Sequence, residues 1–72
     1  MSFPLTNRLK LLRTEAGLTQ ADLSELVGVS RKTINTIENS IFIPSTVLAL
    51  KLSAVLNVTV EDVFMLSPVA EQ

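Results

Sequence analysis

The chain has 72 residues, 47% of them hydrophobic, with two glycines and neither cysteine nor histidine. A length this small leads us to expect one domain, residues 1–72, and the missing residue types exclude disulfide staples, thiolate or imidazole metal sites and histidine proton shuttles. Six basic and seven acidic residues leave a formal charge of −1, so any affinity for a polyanion must come from where the cations stand and not from their sum.

The opening Met1-Ser2-Phe3-Pro4-Leu5 has no basic segment followed by an apolar run, and no stretch approaches the ~18 apolar residues of a membrane span. The expectation is a cytoplasmic protein without membrane contact. Thr6 or Asn7 can cap a first helix over about Asn7 to Ala16, in which Leu9, Leu12 and Ala16 recur on one face and Gly17 marks the end. Thr19 stands three residues before Asp22, an acidic capping box, ahead of a second helix with apolar positions Ala21, Leu23, Leu26 and Val27 and a left-handed stop at Gly28. Ser30 caps a third helix, Arg31 to Asn39, with Ile34 and Ile37 inward and a hydrogen-bonding, cationic face outward. Pro44 cannot extend that helix. Ser45 then caps a fourth, about Thr46 to Leu56, burying Leu48, Ala49, Leu52 and Val55, and Thr59 with Asp62 opens a short fifth, about Val60 to Met65. Pro68 and the polar end should fray. The fold class expected is all-α, five helices joined by short loops.

The informative segment is Gln20 to Glu38, two short helices joined by Gly28-Val29-Ser30. A short glycine-containing turn sets two helices steeply across one another, the helix-turn-helix geometry, and the second helix of such a unit can offer its N-terminal side chains to base edges in the major groove. Here those are Ser30, Arg31, Lys32, Asn35 and Thr36. Arg31 and Lys32 are cations in a first helical turn, where they oppose the macrodipole at a cost of a few tenths to ~1 kcal/mol unless an anion offsets it. Phosphate or guanine supplies that anion.

The sequence resembles the Cro and phage-repressor class of helix-turn-helix regulators, in particular its minimal single-domain bacterial members. The match runs from about residue 7 to 64 and is carried by Asn7-Arg8-Leu9-Lys10, Leu12-Arg13, Gly17-Leu18-Thr19-Gln20, Leu23, Val27-Gly28-Val29-Ser30-Arg31, Thr33-Ile34, Ile37-Glu38-Asn39, Pro44-Ser45 and Leu48-Ala49-Leu50-Lys51. The resemblance implies a five-helix Cro/repressor-like domain, with phosphate contacts from Gln20 and Asn39 and a groove-facing role for Ser30, Arg31, Lys32 and Thr36; Thr33 is expected on phosphate as well. The resemblance also implies an ion pair between Arg13 and Glu38 that braces helix one against helix three.

Several residues depart from that pattern. Where relatives have glycine and then polar or basic residues, this chain has Ser40-Ile41-Phe42-Ile43, so the loop has lost an electrostatic role. It either folds onto its own core or meets a partner protein. Val47, Leu50 and Ala54 form a second apolar stripe on helix four, which marks a protein contact. One short reading helix contacts few base pairs, and two half-sites about 34 Å apart are the usual remedy, so a homodimer is expected. Its interface candidates are Val47, Leu50, Ala54, Val63, Met65 and Leu66. Without histidine or cysteine, and with Glu61 and Asp62 adjacent and turned apart on a helix, the sequence offers no catalytic pair. The reading is therefore a DNA-binding regulator without cofactor or metal, with two rivals: an antitoxin whose toxin covers the apolar surface, and an adaptor that has lost DNA.

Overall fold

A computed structural model describes residues 4–67. In chain order it contains β1 (Leu5–Asn7), α1 (Leu9–Glu15), α2 (Gln20–Val27), α3 (Arg31–Glu38), α4 (Thr46–Val55), α5 (Val60–Val63) and β2 (Phe64–Leu66). The five expected helices are present; the fraying expected from Pro68 onward lies outside the described residues.

The helix starts follow local chemistry. Thr19 and Thr59 each accept from the N–H three residues on, and Asp22 and Asp62 reach back to the threonine N–H groups, completing two capping boxes. Bonding from those threonines, backbone N–H first and side chain second, holds both aspartate carboxyls below the usual carboxylate range and keeps them ionised. Ser30 and Ser45 cap α3 and α4 through the N–H groups of Thr33 and Leu48. For α1 the helix begins later than expected. Arg8 occupies the cap position, and the capping oxygen comes from Asn7, whose Oδ1 accepts from Leu9 N at 3.0 Å.

Leu9, Leu23, Val27, Ile34, Ile37, Leu48, Leu52 and Val63 form the core, with Leu12, Leu18, Val29, Leu56, Val58 and Phe64 packed around it. Four expected core positions lie elsewhere: Ala16 is exposed just past the end of α1, Ala21 and Leu26 are exposed on α2, and Val55 is exposed at the end of α4. In α2 the buried stripe is Leu23, Ser24 and Val27, and Leu26, one position before Val27, is turned ~100° off it. Ser24 fits there because it is small and because its hydroxyl donates to Ala21 O at 2.7 Å, which leaves no unsatisfied polar atom in the stripe.

The sheet is an addition to the all-α expectation. α5 stops at Val63, two residues early, because Phe64 is extended (φ −120°, ψ 135°) and begins β2. β2 pairs antiparallel with β1, with Leu5 opposite Leu66 and Asn7 opposite Phe64. Arg8 N donates to Val63 O at 2.9 Å and Ser67 N to Pro4 O at 2.8 Å, extending the bonding past both ends of the ladder. Val63 is fully buried in the core and cannot serve a dimer interface, contrary to expectation; Met65 is half-buried and Leu66 exposed.

α3 ends in a left-handed turn at a residue that is not glycine. Ser40 has φ 60°; its N–H donates to Ile37 O at 2.9 Å and that of Ile41 to Thr36 O at 2.9 Å, the Schellman pattern. Serine in that conformation costs on the order of 1 kcal/mol relative to glycine, through its Cβ. Ser40→Gly is therefore expected to raise the urea midpoint by an amount equivalent to ~0.5–1 kcal/mol, the gain being cut by the freer unfolded chain. An unchanged or lowered midpoint would show that the serine is not strained.

Candidate nucleic-acid interface

α2 and α3 meet across a turn built by Gly28, which takes φ 78°. The N–H groups of Gly28 and Val29 both donate to Ser24 O, at 2.9 and 3.0 Å, closing α2, and Ser30 then opens α3. This places Ile34 and Ile37 in the core and leaves Arg31, Lys32 and Asn35 exposed on the opposite face, with Thr33 and Thr36 half-buried beside them.

The hydroxyls on this face are occupied. Ser30 Oγ accepts from Thr33 N at 3.2 Å and bonds Thr33 Oγ1 at 3.0 Å. Thr36 Oγ1 donates into its own helix, toward Thr33 O at 3.0 Å and Lys32 O at 3.1 Å. What the face presents outward as donors is the Arg31 guanidinium, the Lys32 ammonium and the Asn35 amide, together with the Thr36 methyl. Among the described residues neither Arg31 nor Lys32 makes an ion pair, and the first turn of α3 holds no acidic residue. Both charges therefore stand against the positive end of their own helix.

Beside this face lies a small, nearly buried charge cluster. Arg13 and Glu38 meet Nε to Oε2 at 2.6 Å, their side chains 9% and 3% exposed, and Arg13 Nη2 adds a second bond to Oε1 at 3.2 Å. Arg13 Nη1 donates to Leu18 O at 2.8 Å, so the guanidinium also fixes the turn between α1 and α2. Gln20 Nε2 donates to Glu38 Oε1 at 3.0 Å. The composition gave no hint of that last bond, which joins the first residue of α2 to the last of α3. Gln20 and Arg31 line one shallow depression together with Arg13, Thr14, Thr19 and Ala21.

The other two residues expected on phosphate are engaged within the protein. Thr33 is tied to Ser30, and Asn39 turns back on its helix, its Nδ2 donating to Asn35 O at 2.9 Å and Asn35 Oδ1 at 3.3 Å. Asn39 must release those bonds to reach anything else. Asn7 has a second role that the sequence did not reveal: its Nδ2 donates to Ile37 O at 2.9 Å, tying the start of α1 to the end of α3.

The apolar departures lie on the surface. Ile41 is 76% and Val47 62% exposed; Phe42, Ile43, Leu50 and Ala54 are exposed as well, so the loop after α3 does not fold onto the core. Among the described residues no helix is long and apolar enough to cross a membrane, and no group of acidic side chains could hold a metal ion.

The helix-turn-helix family pattern matches residues 9–63. The chain is 42% identical over 62 residues to a Bacillus subtilis protein named as an uncharacterized HTH-type transcriptional regulator, YgzD, covering 86% of this chain and 94% of that one. Among solved structures it is similar to the restriction-modification controller protein C.AhdI of Aeromonas hydrophila, with a TM-score of 0.72 and 34% identity over 76% of this chain and 83% of that one. It is similar also to SinR of Bacillus subtilis, the master regulator for biofilm formation, in a structure with DNA: TM-score 0.70, 36% identity, 75% of this chain and 87% of that one.

The charge cluster generates a stability prediction. Removing one partner of a buried pair strands the other, at about 3–5 kcal/mol when burial is complete, and Gln20 remains to soften that here. Arg13→Met is expected to cost close to the lower bound, whereas Lys10→Met, at an exposed site, should stay within ~0.5 kcal/mol. Equal urea midpoints for the two variants would contradict a structural role for the pair. The double change Arg13→Met with Glu38→Leu should recover part of the loss.

Proposed function

This chain belongs to the helix-turn-helix family of regulators, a family of transcription factors and not of enzymes, and we propose that it is a sequence-specific DNA-binding repressor acting as a homodimer on a two-fold symmetric operator. The observation that carries this reading is the outward face of α3, where Arg31, Lys32 and Asn35 keep free donors while every neighbouring hydroxyl is used internally. Arginine and lysine reach the O6 and N7 edge of guanine, each pairing discriminating by ~1–3 kcal/mol, and the Thr36 methyl suits the thymine methyl. Ser30 contributes by capping α3, and so by aiming its first turn. Gln20, Asn39 and Thr33 are assigned to backbone phosphates, where contacts position the domain without reading sequence.

The exposed stripe of Val47, Leu50 and Ala54, with Met65 and Leu66, supports the homodimer. Repression needs only occupancy of the operator, whereas activation needs a further contact with the transcription machinery. Such a regulator works in the cytoplasm, beside the DNA. The uncovered loop Ile41, Phe42 and Ile43 favours a second reading in which the same DNA-binding domain is an antitoxin and another protein covers the loop.

Selection of bound duplexes from a random pool tests this reading. Arg31→Ala is expected to weaken the best site and flatten preference at one base pair per half-site, while Asn39→Ala weakens all sequences alike. With Arg13 neutralised by Glu38, few cations remain for phosphate, so log affinity should fall with log salt less steeply than for strongly basic repressors. Unchanged affinity and base preference in both Arg31→Ala and Lys32→Ala would remove α3 as the reader. A monomer in sedimentation at micromolar concentration, protecting one half-site, would remove the homodimer.

A further inference from the structure

Glu38 accepts a third hydrogen bond besides the two from Arg13, and it comes from Gln20. Its Oε2 takes Arg13 Nε at 2.6 Å, and its Oε1 takes both Arg13 Nη2 at 3.2 Å and Gln20 Nε2 at 3.0 Å. An ionised carboxylate can only accept, so it turns the Gln20 carboxamide one way, NH2 group toward Glu38 and carbonyl oxygen away from it. A free glutamine amide has no such preference.

We propose that Glu38 is a positioning residue for DNA binding, locking the Gln20 amide so that its second N–H is offered to a backbone phosphate. The proposal rests on the reading of Gln20 as a phosphate contact. One amide proton is spent on Glu38 and the other is left for a ligand, in a depression that Gln20 shares with Arg31. Unlocked, the amide could turn its oxygen toward the phosphate, which repels, and it would have to be ordered on binding. Asn39 shows the contrast, since its amide group is spent on Asn35 before any ligand arrives. Arg13 makes the lock possible next to a polyanion, because it cancels the carboxylate charge that would otherwise oppose DNA.

Charge and positioning predict opposite signs for one substitution. Glu38→Gln removes a negative charge and frees Arg13, so electrostatics alone predicts tighter binding to any duplex. Loss of the lock predicts weaker binding. The test compares wild type, Gln20→Ala, Glu38→Gln and the double variant on a mixed-sequence duplex and on the best selected duplex, at a temperature where circular dichroism shows each protein folded. Gln20→Ala should weaken both duplexes about tenfold, the scale of one hydrogen bond to a charged group. Glu38→Gln should weaken them by most of that factor, and the double variant should bind no worse than Gln20→Ala.

Binding by Gln20→Ala equal to wild type would remove the phosphate reading, and the proposal with it. If Gln20→Ala weakens binding but Glu38→Gln does not, or if the two losses multiply, the phosphate reading stands and the positioning role fails. Should Glu38→Gln not fold, the wild-type Gln20 side-chain amide protons decide by NMR. One is expected downfield in the free protein from its bond to the carboxylate, with the other moving on addition of duplex. Two protons at free-amide positions, or loss of the downfield proton on DNA, would overturn the proposal.

Discussion

A guanidinium and a carboxylate, both nearly out of water, hold the first helix of this protein against the third, beside the exposed face of α3. Arg13 grips Glu38 with two nitrogens and the Leu18 carbonyl with its third, so one side chain sets α1, the α1–α2 turn and the end of α3 together. An apolar pair of similar volume could stabilise such a small domain as well or better, because desolvating two charges offsets much of their attraction. Leucine and methionine, however, have no fork geometry and give the Gln20 amide nothing to bond. The ion pair fixes a direction as well as a distance.

The same pair accounts for how a chain of formal charge −1 presents a surface suited to DNA. Glu38 is spent inside the fold, and Asp22 and Asp62 are spent on helix caps, so three of the seven acidic residues are tied into the structure. Arg31 and Lys32 have no such partner among the described residues and stand where their own helix dipole disfavours them. A ligand that brings negative charge to that helix end relieves the cost. Net charge is a poor guide here, and the placement of a few charges is the better one.

Much of this was legible in the sequence because it is local. Thr19 with Asp22, and Thr59 with Asp62, announce their helices three residues at a time, and Gly17 and Gly28 announce left-handed ends. Arg13 and Glu38 were paired by family resemblance, since no local rule links residues so far apart. What escaped needed tertiary information. Ser40 takes a left-handed turn that glycine usually takes, and nothing in its identity separates it from other polar residues; Asn57 takes another, as asparagine more readily does. β1 and β2 have three residues each, too short for an alternating pattern, and each becomes a strand only because the other lies beside it. Val63 is expected at the interface with Met65 and Leu66, and only the packing of α5 against the core shows that it is buried. The Gln20–Glu38 bond exists only once α2 and α3 are packed.

The role proposed for α3 is to read bases in the major groove from the frame set by Arg13 and Glu38. Dimethyl sulfate interference tests it directly, since that reagent methylates guanine at N7 in the major groove and adenine at N3 in the minor groove. On a selected operator, methylated guanines should block binding in two half-sites about 34 Å apart, and Arg31→Ala should relieve the block at one guanine in each. Interference confined to adenine N3, or guanine interference untouched by Arg31→Ala, would contradict that role for α3.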